Sequence, residues 1–394
     1  MIVGVPRESY PGERRVAIVP AVLPALLKGG MEVVVEAGAG MEAGYPDATY
    51  IAKGAKIVAD RAEVFRAADV VTQVLCYGSN DKTGDADLPL LRRDQVLVGF
   101  LRPLGGLSTI QQIAERGVTG FSVELMPRTT RAQSMDVLSS QANIAGYKAV
   151  LMAANAYQRL MPMMMTAAGT IKAARVLVMG AGVAGLQAIA TARRLGAIVS
   201  ATDVRAAAKE QVESLGASFI TVDEEAARSA ETAGGYAREM GEDYQRRQRE
   251  LVAQTLRRTD IVICTALVPG RRAPVLLTEA MVAGMAPGSI IVDLAVESGG
   301  NVEGSQPGAI AITANGVKII GHNNMPSRIA ADASQLYARN LLAFLALLVD
   351  KEGKLRIDTS DEIVKAALLT LDGAVVNPAL APEPAAAAAP GATS

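Results

Sequence analysis

The stretch "ARVLVMGAGVAGLQAIATARRLGAIVSATDVR", residues 174–205, decides the fold of this chain. It opens with an apolar run from Ala174 to Met179, which reads as a buried strand, and continues into a glycine pattern G-x-G-x-x-G. A helical segment follows, and then a second apolar run ends at Asp203. Strand, glycine turn, helix and strand together make one βαβ unit, so the sequence predicts a parallel sheet covered by helices.

Each of the three glycines is expected at its position for a different physical reason. Gly180 permits a tight turn, Gly182 lets the backbone approach a pyrophosphate, and Gly185 allows close packing of the helix on the strand. Asp203 stands where a carboxylate accepts hydrogen bonds from an adenosine ribose and repels a 2′-phosphate, which favours NAD over NADP. The nearby Arg205 slightly weakens the predicted preference for NAD over NADP. A glycine turn with a purely structural role is the alternative.

The predicted nucleotide site includes residues that follow other strands. The segment "VDLAVESGGN" places Asp293 and Glu297 beyond the carboxyl end of a strand, on the ligand side of an open parallel sheet. Their role is either cofactor positioning or loop structure. No metal site is predicted. The residues predicted to bind the cofactor are Gly180, Ala181, Gly182, Val183, Ala184, Gly185, Asp203, Val204, Arg205, Gly235, Tyr236, Thr265, Ala266, Leu267 and Asp293.

The crossover between the strands "ASFITV" and "DIVICTA" is longer than a βαβ unit requires. It contains the adjacent glycines Gly234 and Gly235 beside Tyr236. A long excursion with a glycine hinge is typical of a lid or a binding loop, in which Tyr236 offers an apolar face and a hydroxyl. A charged, solvated helix with a flexible start is the alternative.

Strand runs alternate with helical stretches along most of the chain, which predicts an α/β protein with two doubly wound, Rossmann-like domains, parallel sheets and a cleft between them. The helical stretch "DASQLYARNLLAFLALLV" follows the second sheet and is expected to return to the first domain. The predicted domains are residues 1–137 with 329–380, and the nucleotide-binding residues 138–328. Residues 381–394 form an Ala/Pro tail that is expected to be disordered.

Composition limits the possible functions. The chain has 394 residues, 50% of them hydrophobic, and 39 Lys and Arg against 40 Asp and Glu give a net charge of -1. A neutral balance disfavours binding to nucleic acid or to an anionic membrane surface. Cys76 and Cys264 lie in apolar runs and are expected to be buried thiols. Neither a leader peptide nor an apolar run of the ~20 residues that span a bilayer is recognised.

A polar stretch interrupts this apolar chain at "MPRTTRAQSMDVLSSQANIAG", residues 126–146. Its side chains Arg128, Gln133, Asp136 and Ser139 are donors and acceptors suited to fixing a carboxamide and a ribose. The alternative is that the cluster only caps a helix that begins near Ser134.

Several segments together resemble one family along nearly the whole chain. They include "GVPRESYPGERRVAIVP", "MPRTTRAQSMDVLSSQANIAGYKAV", "ETAGGYAREMGE" and "GHNNMPSRIAADAS". They are similar to the NAD(H)-binding component, domain I, of proton-translocating NAD(P) transhydrogenase, and most closely to its stand-alone alpha-1 subunit. The resemblance implies hydride transfer between NADH and NADP, with NADP and the proton path on partner polypeptides.

The resemblance also implies where the functional groups lie. It places nicotinamide-proximal, catalytic groups at Arg128, Gln133, Asp136 and Ser139. It implies a homodimer to which the Met-rich segment "MPMMMTAAGT" contributes, although a core role for that segment is equally compatible with the sequence. Partner subunits would attach the chain peripherally to the inner face of the cell membrane, and the chain itself would be cytoplasmic, with no nucleic acid partner.

Alanine dehydrogenase is a related family with the same two-domain plan and an equivalent of Arg15. That family uses a Lys and a His for its substrate, and the matching positions here are Leu75 and Arg102. The single histidine, His322, lies elsewhere, and a structural role is expected for it. Transfer between two nicotinamides moves only hydride, so it needs orientation rather than a base. An amino-acid dehydrogenase with a relocated acid/base group and a non-catalytic NAD sensor remain the alternatives.

Overall fold

A computed structural model describes residues 1–205, 207–222, 242–268 and 270–380. The chain divides into two compact units. The first comprises Met1–Ser140 and the chain from Ala330 onward, and the second is Gln141–Ile329. Each unit contains a large sheet in which parallel pairs predominate, so the predicted α/β class is confirmed.

An eight-stranded sheet forms the centre of the first unit. Its strands are β1 (Ile2–Val5), β2 (Glu32–Glu36), β3 (Lys56–Val58), β4 (Val70–Leu75), β5 (Val96–Phe100), β6 (Thr119–Ser122), β16 (Leu368–Leu371) and β17 (Ala374–Val375). Their order is β17-β16-β6-β5-β4-β1-β2-β3. The strands β1 to β6 pair in parallel, whereas β16 and β17 are antiparallel.

Helices cover this sheet. They are α1 (Leu23–Lys28), α2 (Asp47–Ile51), α3 (Arg61–Ala67), α4 (Leu107–Glu115), α10 (Ala330–Leu345) and α11 (Glu362–Ala367). The helix α10 supplies Tyr337 and Phe344 to the core, where the Phe344 ring meets the Phe121 ring edge to face at 5.4 Å. Helix α5 (Val137–Ala156) starts in the first unit and continues into the second.

A seven-stranded sheet forms the centre of the second unit. Its strands are β9 (Arg175–Met179), β10 (Ile198–Thr202), β11 (Ser218–Phe219), β12 (Ile261–Cys264), β13 (Ile290–Asp293), β14 (Ile310–Ile312) and β15 (Lys318–Ile320). The order β11-β10-β9-β12-β13-β15 is the 3-2-1-4-5-6 order of a dinucleotide-binding sheet. Strand β14 adds an antiparallel edge to β15.

Among the described residues, four helices lie wholly within this unit: α6 (Val183–Arg194), α7 (Ala208–Ser214), α8 (Glu242–Leu256) and α9 (Glu279–Ala283). The Met-rich segment forms a separate hairpin of β7 (Met164–Thr166) and β8 (Gly169–Ile171), whose residues are all exposed. Both cysteines are buried free thiols, as predicted. Among the described residues, no helix combines the length and the apolar character that crossing a membrane requires.

The structure differs from the sequence prediction mainly at the edges. Strands β14, β16 and β17 were not predicted because strands of two to four residues carry little periodicity. The predicted strand "ASFITV" is reduced to Ser218–Phe219. Gly234, Gly235 and Tyr236 of the long crossover lie outside the described residues, as does the predicted tail, whereas the later part of the crossover forms α8.

A cluster of buried charges lies in the first unit. The Arg15 guanidinium donates to Glu13 through Nε at 2.9 Å and Nη2 at 2.6 Å, and both side chains are buried. The Glu8 carboxylate accepts the N–H of Val74 at 2.6 Å and of Leu75 at 3.1 Å, where the register of β4 with β5 shifts. Burial, and then the charge of Glu13, raise the pKa of Glu8 from 4.5 to about 8.

This pKa predicts a stability that falls as pH rises. Between about pH 4.5 and pH 8 the folded state holds a proton on Glu8 that the unfolded chain releases, so raising pH favours unfolding. We expect that Glu8→Gln reduces the change in unfolding free energy over this pH range by about 1–3 kcal/mol. Rearrangement of the site and entry of water keep this effect smaller than the full pKa shift would give. The measurement is the free energy of denaturant unfolding from pH 5 to pH 8.5.

The exposed Glu32→Gln in β2 is the matched control, and it should leave the pH dependence unchanged. Equal slopes for the Glu8→Gln variant and the unmodified chain would contradict the assignment.

Candidate functional site

The glycine-rich turn follows β9 and leads into α6. Gly180 has a φ of +98°, which favours glycine, and a Cβ there would lie 2.6 Å from Thr265 Oγ1. A Cβ at Gly185 would lie 1.8 Å from the Gly180 carbonyl oxygen. A Cβ at Gly182 would meet nothing within 4 Å. The packing of the protein therefore requires two of the glycines, whereas the third faces open space.

That open space lies at the start of a helix. Gly182 is the N-cap of the 12-residue α6, and no side chain caps the helix. The first N–H groups of a helix lack intrahelical partners and carry the positive end of the helix dipole, so they attract an anion. A backbone without a Cβ, beside uncapped N–H groups, fits the pyrophosphate of a dinucleotide.

Asp203 follows β10 at the same edge of the sheet. Its Oδ2 accepts the Ala181 N–H at 2.7 Å, which ties it to the glycine turn. Arg205 donates to Oδ1 through its N–H at 2.8 Å and Nε at 3.0 Å, and to Oδ2 through Nη2 at 3.0 Å. The structure thus brings the predicted residues Ala181, Asp203 and Arg205 together, with Val204 partly exposed between them.

Thr265, Ala266 and Leu267 follow β12, the neighbour of β9. Thr265 donates its N–H to the Met179 carbonyl at 2.8 Å and its hydroxyl to the Gly180 carbonyl at 2.9 Å. The strands β9 and β12 are the pair at which the strand order reverses, where ligands bind in open α/β sheets. Half of the Leu267 side chain is exposed there.

Asp293 and Asn301 hold the loop after β13. The Asp293 side chain is fully buried, and its carboxylate accepts the N–H groups of Ala295 at 3.0 Å and of Asn301 at 3.0 Å. Asn301 in turn accepts the Ala266 N–H at 3.1 Å and donates to the Ala266 carbonyl at 2.9 Å. These contacts hold the loop together, which is one of the two roles that the sequence left open for Asp293. Asn301 was not predicted, because a buried Asn in a glycine-rich loop has no motif of its own.

The segment around His322 lies at the carboxyl end of β15. Glu297 accepts the Asn324 N–H at 2.9 Å. Burial, and then the nearby positive charge of Arg328, lower the pKa of His322. Its Nδ1 is buried without a hydrogen-bond partner among the described residues, as are Ser305 Oγ and Asn323 Oδ1.

The polar stretch of the first unit forms a 3-10 helix, Thr130–Met135, before α5. Asp136 accepts the Ser139 N–H at 2.9 Å and the Ser139 hydroxyl at 2.6 Å. Asp136 therefore caps α5 through Ser139, and the helix begins at Val137 rather than near Ser134. Arg128 and Gln133 are exposed, and the Gln133 side chain makes no hydrogen bond with any described residue.

The positions that correspond to the alanine dehydrogenase Lys and His carry a leucine and an arginine here. Leu75 ends β4, and Arg102 follows β5 in a left-handed conformation with a φ of 51°. Arg15 is buried against Glu13, as described above, which neutralises its charge. The described residues contain no group of three or more His, Cys, Asp or Glu that could hold a metal ion.

The strand order and the turn at its reversal point define a dinucleotide-binding α/β protein. Residues 4–145 match the family model for the alanine dehydrogenase/PNT N-terminal domain, and residues 149–378 match that for its C-terminal domain. The chain is 54% identical over 381 residues to an NAD(P) transhydrogenase subunit alpha polypeptide of Rhodospirillum rubrum, across 96% of this chain and 99% of the relative.

Two solved structures show the same similarity. A transhydrogenase from Sinorhizobium meliloti matches with a TM-score of 0.85 at 50% identity, over 95% of this chain and 100% of that chain. An L-alanine dehydrogenase matches with a TM-score of 0.79 at 25% identity, over 96% of this chain and 98% of that chain. The chain belongs to the alanine dehydrogenase/PNT family, and the predicted relationship to NAD(P) transhydrogenase alpha subunits is confirmed. The family implies binding of a nicotinamide nucleotide.

Proposed function

We propose that this chain is the NAD(H)-binding catalytic subunit of a proton-translocating NAD(P) transhydrogenase. A hydride passes directly from C4 of NADH to C4 of NADP⁺, which a partner subunit holds, and the products are NAD⁺ and NADPH. Membrane-spanning partners couple this transfer to proton translocation. The observation that carries the proposal is the glycine turn, because Gly182 presents bare backbone at the start of α6. The 54% identity to a transhydrogenase subunit supports the choice of reaction.

The bound nucleotide supplies the hydride, and the protein holds it. The turn from Gly180 to Gly185 binds the pyrophosphate, and Asp203 binds the adenosine ribose. Arg128, Gln133, Asp136 and Ser139 contribute to the nicotinamide end. The exposed Gln133 amide, which bonds to no described residue, offers a donor and an acceptor to a carboxamide. The pair Asp136 and Ser139 fixes the start of α5 next to it.

Direct transfer requires no proton acceptor on the protein. Hydride leaves one ring and enters the other, so the protein contributes proximity and orientation. Leu75 and Arg102, at the positions where alanine dehydrogenases carry their Lys and His, agree with this chemistry because neither exchanges a proton near neutral pH.

An alanine dehydrogenase-like amino-acid dehydrogenase is the second candidate, and the 25% identical L-alanine dehydrogenase structure favours it. The buried Glu8, whose pKa is about 8, has the acidity that a relocated acid/base group would need. Its two oxygens, however, accept backbone N–H groups, and Arg15 is paired with Glu13 rather than available to a substrate carboxylate. These contacts favour the transhydrogenase reaction.

The proposed subunit acts as a homodimer. Its hairpin β7–β8 exposes Met164, Met165 and Ile171 by 42%, 74% and 46%, which is apolar surface suited to a second copy of the chain. Partner subunits would hold the dimer at the inner face of the cell membrane.

Two mixtures test the proposal. The purified chain is combined with an NADP-binding transhydrogenase partner, NADH and NADP⁺, and separately with NADH, pyruvate and ammonia. We expect NADH oxidation only in the first mixture. Oxidation in the second would establish the amino-acid dehydrogenase, and NADH binding without reaction in either would establish a sensor.

A further inference from the structure

The ion pair between Asp203 and Arg205 occupies the place where a ribose would bind. The Asp203 side chain is 8% exposed and that of Arg205 is 22% exposed. The carboxylate accepts two backbone N–H groups, from Ala181 and Arg205, and two guanidinium N–H groups, with all four distances between 2.7 and 3.0 Å. An ionised carboxylate offers about four acceptor positions. The pair therefore leaves none for a further donor.

A ribose that binds Asp203 must replace the guanidinium. The Ala181 N–H occupies one position on Oδ2, and the Arg205 N–H occupies one on Oδ1. These backbone bonds form the turn, so they remain when the Arg205 side chain leaves. One acceptor position then opens on each oxygen, which suits a vicinal diol that donates one O–H to each.

We propose that Arg205 determines nucleotide choice by competing with the ribose diol of NADH for Asp203 and by serving, when the carboxylate does not hold it, as the partner of a 2′-phosphate. This inference rests on the proposed nucleotide site. A 2′-phosphate cannot donate to Asp203 and is repelled by it. Asp203 thus opposes NADPH twice, because it repels the phosphate and holds the cation that would bind it.

Fluorescence titrations with NADH and with NADPH test this role in the full chain. We expect Arg205→Ala to bind NADH roughly 2- to 5-fold more tightly, since a partly exposed ion pair no longer competes. Asp203→Asn should bind NADPH at least about 10-fold more tightly, because a released guanidinium makes charge-assisted bonds to the phosphate. That gain should disappear in the double variant Asp203→Asn/Arg205→Ala.

Arg205→Lys separates charge from geometry. Lysine keeps the charge without the planar fork, so in the Asp203→Asn background it should retain part of the NADPH gain. Arg194→Ala, at the far end of α6, is the matched control and should leave both affinities unchanged. Thermal unfolding of each variant establishes that it is folded.

Two results would overturn the inference alone: an NADH affinity that is unchanged or weaker in Arg205→Ala, or an NADPH gain that survives in the double variant. An unmodified chain that binds neither nucleotide would overturn the proposed function itself.

Discussion

Gln133→Asn is expected to slow hydride transfer about 100-fold while leaving the affinity for NADH nearly unchanged. The substitution withdraws the side-chain amide by about 1 Å, and a misplacement of that size at a reacting centre costs on the order of 100-fold in rate. The contacts proposed for the dinucleotide, at the glycine turn and Asp203, belong to residues of the other unit and do not involve Gln133. The measurement is stopped-flow transfer to NADP⁺ in the reconstituted complex, beside equilibrium NADH binding.

The structure provides a matched control for this variant. Gln111 is exposed on α4, and Gln111→Asn makes the same truncation in the same unit. It should leave both rate and affinity unchanged. If Gln133→Asn transferred hydride at the original rate, or lost affinity in proportion to rate, Gln133 would not be a positioning residue.

Gly182→Ala is expected to weaken NADH binding by roughly 10- to 100-fold without destabilising the fold. The new methyl group meets no protein atom within 4 Å, and the φ of -74° at this position suits alanine. It would fill the space proposed for the pyrophosphate, and each hydrogen bond to a charged group contributes about 1.5–3 kcal/mol. Isothermal titration with NADH and denaturant unfolding measure the two effects separately.

Gly185→Ala is the contrasting variant. Its methyl group would lie 1.8 Å from the Gly180 carbonyl oxygen, so helix and strand must separate. We expect a loss of stability of about 1–3 kcal/mol or more, as for other overpacked sites. A Gly182→Ala variant that bound NADH like the unmodified chain would show that the open space is not a phosphate site.

Local pattern was sufficient to predict the centre of the fold. The run from Ala174 to Asp203 contains the signals for a strand, a turn and a helix in succession. Each of these elements could be predicted from residues that are close together in the sequence. The two glycines that packing requires, Gly180 and Gly185, stand where that pattern placed them. The short antiparallel edge strands were beyond prediction, since their pairing is decided by the sheet they join.

Contacts between distant segments account for what sequence missed in the site. Asn301 bonds to Ala266 across 35 positions, and a Cβ at Gly146 of α5 would lie 2.0 Å from the Ala184 carbonyl oxygen in α6. No local pattern signals either contact. The contacts of Arg205 also depend on a distant residue, although Arg205 is only two positions from Asp203. The sequence shows that spacing, but the Asp203 carboxylate has all its acceptor positions occupied only because the Ala181 N–H also donates to it.

In the proposed reaction, hydride moves directly between two nicotinamides without exchange with solvent. The most direct measurement supplies NADH deuterated at the transferred position of C4 to the chain and its NADP-binding partner, and follows the label by mass spectrometry. We expect that each NADPH formed carries one deuterium and that none enters water. Deuterium in the solvent, or NADPH formed without the label, would contradict it.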